Sequence, residues 1–184
     1  MKYISIILLT MSMSSFACAQ EETQIMDWEK YDPPSTLVVP EHIVTQAKFP
    51  FIDVHNHQFN MPNQDLNDLV ADMDNLNMQI MVNLSGRGRG SEEHLRGALD
   101  NVKETAPNRF IVFTNIDLNG IDDPDWTERT VRQIEQDITL GASGLKIYKS
   151  QGMDNTDSQG NRISIDDPRI DPVWAKCGEL NIPV

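Results

Sequence analysis

Apolar and polar positions alternate in two regular patterns between Pro50 and Val184. Short apolar runs typical of strands occupy positions 51–55, 79–84, 110–114 and 145–148. After each run, apolar residues recur every three or four positions, as they do on one face of a helix; these stripes begin at Leu66, Leu95, Val131 and Ile170. The pattern predicts four consecutive strand–helix units and therefore a parallel sheet with right-handed crossovers.

Start and stop signals mark the ends of the predicted helices. Ser91 precedes Glu92 and Glu93, an N-cap followed by acidic residues in the first turn. The third helix is predicted over 126–140, with Gly141 as its stop. Asp167-Pro168 predicts the start of the fourth helix. Positions 182–184 have the composition of an opening fifth strand.

The length of the repeat sets the expected fold. Each unit takes about 33 residues, so eight would need about 264, close to the ~250 residues of a (β/α)₈ barrel. A doubly wound sheet would need a complete fifth strand and usually a covering helix. We therefore expect an α/β chain that forms the first half of a TIM-type barrel, truncated near the start of the fifth strand.

The segments before this domain differ in composition. Positions 1–19 combine Lys2, an apolar run and the small-residue motif Ala17-Cys18-Ala19, which predicts a secretory signal peptide. Lipidation of Cys18 is the alternative. Positions 20–47 are polar and proline-punctuated and predict an extended leader, with the folded part over 48–184. The expected location is periplasmic or extracellular.

Charge and hydropathy narrow the classes of partner. The formal net charge is −13, which disfavours general attraction to nucleic acid or to an anionic membrane. The apolar runs are shorter than the ~18 residues that span a bilayer. Two cysteines cannot form a disulfide scaffold. A small-molecule substrate is the remaining expectation.

Candidate metal ligands stand at the end of the first strand. Asp53, His55 and His57 alternate with other residues, so their side chains point to one face. Two imidazoles on one face suit zinc or a similar divalent metal. Asp53 is placed to orient a ligand through a hydrogen bond. Ordinary polar contacts at a strand end are the alternative explanation.

The segment from Phe51 to His57, followed by strand–helix units, resembles the start of the amidohydrolase superfamily, in its amidohydrolase-related branch of hydrolases and decarboxylases. The resemblance implies a (β/α)₈ barrel in which His55 and His57 bind a catalytic divalent metal. It also implies further ligands and an acidic general base, which are expected beyond Val184. By the same resemblance, Lys146 is a candidate bridging ligand after carboxylation; a structural lysine paired with a carboxylate is the alternative.

The loop from Ser85 to Gly90 sets Arg87 and Arg89 among glycines. Arginine forks match carboxylates, so these two residues are predicted to bind an acid group of the substrate. A flexible polar loop explains the same composition.

Together, these features predict an exported metal-dependent hydrolase that cleaves an amide, ester or lactone bond and is present here as an N-terminal fragment. Alternatives are a decarboxylase on the same scaffold, a TatD-like or PHP-like phosphoesterase, and a non-catalytic metal-binding half-barrel. A homo-oligomer is expected for the full-length protein.

Overall fold

The computed structural model describes residues 28–40, 42–88 and 90–184. The chain divides into two units, Met1–His42 and Ile43–Val184. In the first unit the described residues form one 3-10 helix, Trp28–Lys30, and otherwise carry no regular secondary structure. The predicted signal peptide, with Cys18, lies outside the described residues.

In the second unit, the described residues form five strands and four α-helices. The strands are β1 (Phe51–Asn56), β2 (Met78–Asn83), β3 (Phe110–Val112), β4 (Thr114–Asn115) and β5 (Leu145–Lys146). The helices are α1 (Leu66–Leu76), α2 (Glu92–Thr105), α3 (Trp126–Leu140) and α4 (Asp171–Glu179). A 3-10 helix, Met61–Asn63, lies between β1 and α1.

The predicted half-barrel is wrong. The strands form a three-stranded parallel sheet in the order β1-β2-β3 and a separate two-stranded parallel sheet of β4 and β5. The predicted third strand divides at Phe113, whose N–H donates to the carbonyl of Asn83, while the next N–H, of Thr114, donates to Gly144. The chain changes its pairing partner at this point, and the result is a small mixed α/β domain.

The helix predictions are mostly confirmed. Helix α2 begins after Ser91, whose hydroxyl accepts from the N–H of His94, and α3 ends at Gly141, where φ is 124°. The predicted start of the fourth helix at Asp167 is wrong, because Arg169 pairs with Asp167 in a turn and α4 begins four residues later at Asp171.

Two other sequence expectations are also wrong. Residues 182–184 form no strand, although the N–H of Leu145 donates to the carbonyl of Pro183. The run over 51–55 has the composition of a buried strand, but β1 is not buried, since Ile52 is 49% exposed and Val54 is 70% exposed.

The buried apolar residues that the structure describes form two clusters. The first joins α1 and α2 to β2 and β3, with Leu66, Met73, Leu95 and Phe110 among its members. The second surrounds α3 and α4 and contains Ile134, Leu145, Ile170 and Val173. Within the part of the chain that the structure describes, no helix is long and apolar enough to cross a membrane.

Candidate metal centre

The two predicted histidine ligands lie side by side at the carboxyl end of β1. The ring centroids of His55 and His57 are 5.3 Å apart, and the ring planes are inclined at 68°. His55 is exposed, whereas His57 is half-buried and stacks against Phe59 and Tyr148, with centroid distances of 5.6 and 5.9 Å. The stacked rings limit the orientations that the His57 imidazole can take.

A buried serine fixes one nitrogen of His57. Nδ1 of His57 lies 2.6 Å from Oγ of Ser85, and the Tyr148 hydroxyl donates to the same oxygen at 3.1 Å. Because a serine oxygen accepts two hydrogen bonds, it can receive both the Tyr148 proton and a proton on Nδ1. In the tautomer that carries its proton on Nδ1, the lone pair of Nε2 is the one left for a metal, which is the arrangement that metal-ligating histidines usually have.

The side-chain amide of Asn83, here called the amide clamp, joins the segment that carries His57 to the segment that carries Ser85. Oδ1 of Asn83 accepts from the N–H groups of Gln58 and Ser85, and its Nδ2 donates to the carbonyl of Gln58. Asn83 is fully buried at the end of β2, so this clamp is shielded from water. It holds the chain after β1 against the chain after β2.

Asp53 makes its hydrogen bonds to the two nearby residues His55 and Asn56 of its own strand, and not to an imidazole ring. Its Oδ1 accepts from the backbone N–H of His55 at 3.0 Å, and its Oδ2 accepts from Nδ2 of Asn56 at 2.8 Å. Asp53 therefore contacts His55 through its backbone N–H and makes no hydrogen bond to its ring.

Lys146 brings a positive charge close to the histidines. It lies half-buried on β5. Burial, the neighbouring His55 and the charge of Lys146 together lower the pKa of His57 below its ordinary value of 6.5. The imidazole of His57 is thus favoured in the neutral form that binds metals.

We expect the metal-free chain to show a His57 pKa below 6.5 in an NMR titration of the imidazole nitrogens. Since the unfolded chain then binds the proton more tightly than the folded chain, the contribution of His57 to stability is complete above pH 6.5 and is lost as the pH falls through the folded-state pKa. Lys146→Met should raise the His57 pKa. A His57 pKa at or above 6.5 contradicts this assignment.

Arg87 is committed to a buried ion pair. Its Nε and Nη2 donate to the two carboxylate oxygens of Asp137 at 2.7 and 2.8 Å, and its Nη1 donates to the carbonyl of Gly90. Arg87 is 6% exposed and Asp137 is fully buried. This geometry gives no support to the prediction that Arg87 binds a substrate carboxylate. Arg89, predicted to act with it, lies outside the described residues.

A cavity of about 230 Å³ has Tyr148, the residue that stacks against His57, in its wall. Its walls include Tyr148, Asp117, Leu118 and Gln151. Gln151 is 6% exposed, and neither Nε2 nor Oε1 of its side chain has a hydrogen-bond partner among the described residues. Each buried polar atom without a hydrogen-bond partner lowers the stability of the folded chain by about 1–3 kcal/mol.

Sequence reasoning found the histidine pair but missed Ser85 and Gln151. A local signal existed for Ser85, since it follows β2 closely and parallel neighbouring strands end at the same edge of a sheet. None existed for Gln151, which lies in the long loop after β5 and is buried by residues distant in sequence.

The described residues hold no group of three or more His, Cys, Asp or Glu side chains placed to bind one metal ion. Comparison of the chain with protein-family models, with curated proteins and with solved structures gives no match.

Proposed function

We propose that this chain is an exported hydrolase that acts through a divalent metal, zinc, held by His55 and His57. The observation that carries the proposal is the pair of imidazoles with centroids 5.3 Å apart, one of them fixed through Nδ1 by the buried Ser85. A solvated pair of strand-end histidines needs no such buried partner, whereas a metal ligand benefits from one.

The donor set fits zinc chemistry in part. Imidazole nitrogen is a preferred zinc donor, and catalytic sites usually combine three protein ligands with one open position. His55 and His57 supply two of these ligands. The charge of Lys146 lowers the pKa of His57. After carboxylation or deprotonation, Lys146 is the candidate for a third metal ligand.

A divalent metal supplies two things in hydrolysis, polarisation of a carbonyl oxygen and a lowered pKa of water. The residues of this chain prepare the site for it. Ser85 and Tyr148 hold the His57 ring in one orientation, and burial lowers the pKa of that ring, which favours its neutral form. Amide, ester and lactone bonds are the proposed targets, because each contains a carbonyl group that such a centre can polarise.

The direct test is the metal content of the double variant His55→Ala/His57→Ala. We expect the parent chain, purified with its affinity tag removed, to retain about one zinc ion, and the double variant to retain none, because two imidazoles are the principal donors. Plasma emission spectrometry measures the metal. Hydrolysis of a panel of esters, lactones and amides, with added zinc or manganese, should disappear in the double variant.

His42→Ala is the matched control, since His42 is exposed and belongs to the other unit of the chain. It should leave both metal content and hydrolysis unchanged. Equal metal content in the parent chain and the double variant contradicts the proposal, as does hydrolysis that survives the loss of both histidines.

A further inference from the structure

We propose that His94 is a positioning residue that ties together the two segments that position His57, and that it does so only as the imidazolium cation. The contacts of its ring with the carbonyl oxygens of Gly86 and Phe59 are here called the His94 latch. The inference deepens the proposed function, on which it rests for one consequence, a zinc affinity that the protonation of His94 controls. The latch itself joins backbone groups and can be observed in the metal-free chain.

The two ring nitrogens of His94 both lie against carbonyl oxygens. Nδ1 is 2.9 Å from the carbonyl oxygen of Gly86, and Nε2 is 2.8 Å from that of Phe59. A carbonyl oxygen accepts a hydrogen bond and cannot donate one, so each contact is a hydrogen bond only if the nitrogen carries a proton. Neutral imidazole carries one such proton and imidazolium carries two. This geometry therefore requires the doubly protonated ring.

The removal of one proton breaks one of these two bonds. The deprotonated nitrogen then presents a lone pair to a carbonyl oxygen, and two acceptors at this distance repel each other. Imidazole groups gain and lose this proton between about pH 5 and about pH 8. The His94 latch is therefore expected to open over that pH range.

The contact with Phe59 is the one that opens. The N–H of Gly86 donates to the carbonyl of Phe113, which keeps Gly86 in place. Phe59 is 55% exposed, and water can replace His94 at its carbonyl oxygen. Neutral His94 is therefore expected to keep its proton on Nδ1, where it still donates to Gly86.

Both partners of the latch act on His57. Phe59 stacks against the His57 ring at a centroid distance of 5.6 Å, and Gly86 directly follows Ser85, whose hydroxyl oxygen lies 2.6 Å from Nδ1 of His57. Because the closed latch holds these two segments together, it limits the positions that the ring can take. An open latch releases Phe59, and the His57 ring loses the support of one stacked neighbour.

The charged groups around His94 permit the cation. Helix α2 contributes Glu93 and the loop after β2 contributes Arg87, and both line the same cavity of about 800 Å³ as His94. Arg87 is already paired with a buried carboxylate on α3, whereas Glu93 attracts the imidazolium. Positions 58–64 carry no charged side chain. The dipole of α2 opposes a cation in its first turn, and the acidic residues of that turn, Glu92 and Glu93, offset it.

NMR of the metal-free 184-residue chain, with isotope-labelled histidine, tests the latch directly. At about pH 5.5 both ring N–H protons of His94 should be visible and protected from exchange with water, because each is held in a hydrogen bond. At about pH 8 the ring should keep the proton on Nδ1, whereas an exposed imidazole prefers the proton on Nε2. His42, which is exposed, is the internal control, and its ring protons should exchange rapidly with water.

Zinc titration against a competing chelator measures the consequence for the metal centre. His94→Gln carries a single nitrogen donor and lacks the cation that the closed latch requires. At about pH 6 it should bind zinc at least tenfold more weakly than the parent chain, the usual effect of losing a group that orients a metal ligand. At about pH 8 the latch of the parent chain is open, so the difference should fall below about threefold.

Protons compete with zinc at His57 in both chains alike, so the ratio of the two affinities reports His94. His42→Gln is the matched control and should equal the parent chain at both pH values. A neutral His94 with its proton on Nε2, ring protons that exchange as fast as those of His42, or an affinity ratio that does not change with pH overturns the proposal. The NMR measurement uses the parent chain, so a parent chain that binds no zinc contradicts the proposed function while the latch is still decided.

Discussion

Arg87→Met is expected to lower the free energy of unfolding by about 3–5 kcal/mol, the usual cost of removing one partner from a buried ion pair. The substitution leaves the carboxylate of Asp137 fully buried and without its cation. Thr114 and Gln133 still donate to that carboxylate, but neither carries a charge. Urea unfolding followed by circular dichroism measures the loss.

Two controls identify the cause of that loss. Arg96→Met removes the same side chain from an exposed pair with Glu92, where we expect a cost below about 1 kcal/mol. The double variant Arg87→Met/Asp137→Leu removes both buried charges and should recover much of the stability. Similar losses for Arg87→Met and Arg96→Met would show that burial of the pair is unimportant.

The ion pair matters because of the elements that it joins. Arg87 lies in the loop after β2, and Asp137 lies on α3. Thr114 of β4 donates to the same carboxylate. One buried acid therefore ties the loop beside the three-stranded sheet to a helix and to the two-stranded sheet.

The helices could be predicted from the sequence because their signals are local. The three- and four-residue spacing of apolar positions, the cap at Ser91 and the stop at Gly141 all act within a few residues, and α3 has the predicted bounds. Strand pairing is not local. Nothing in the apolar run over 110–114 indicates that the chain leaves β2 as partner at Phe113 and pairs with β5 from Thr114 onward.

The candidate site shows the same limit. His55 and His57 could be paired from the sequence, since alternate residues of a strand share a face. The role of Arg87 could not, because its partner Asp137 is 50 residues away. A Gly/Arg-rich loop has the same composition whether its arginine binds a ligand or a buried carboxylate, and only the tertiary contact distinguishes the two.

Gly86→Ala is expected to lower the free energy of unfolding by about 1–3 kcal/mol or more, because the added methyl group has no space. A Cβ at this position would lie 2.3 Å from the carbonyl oxygen of Phe113 and 2.7 Å from a methyl group of Val112. The oxygen belongs to the backbone and accepts from the N–H of Gly86 itself, so it cannot move without loss of that hydrogen bond.

The same substitution should also weaken the proposed zinc binding, because Gly86 stands between Ser85, which fixes His57, and Arg87, which anchors the loop. Displacement of the backbone at Gly86 shifts the Ser85 oxygen away from Nδ1 of His57. Urea unfolding and zinc titration against a competing chelator measure the two effects.

Gly178→Ala in α4 is the control. A Cβ there meets no atom within 4 Å, so we expect unchanged zinc affinity and a free energy of unfolding equal to that of the parent or up to about 1 kcal/mol greater. If Gly86→Ala binds zinc as tightly as Gly178→Ala does, the position of Ser85 does not control the metal centre.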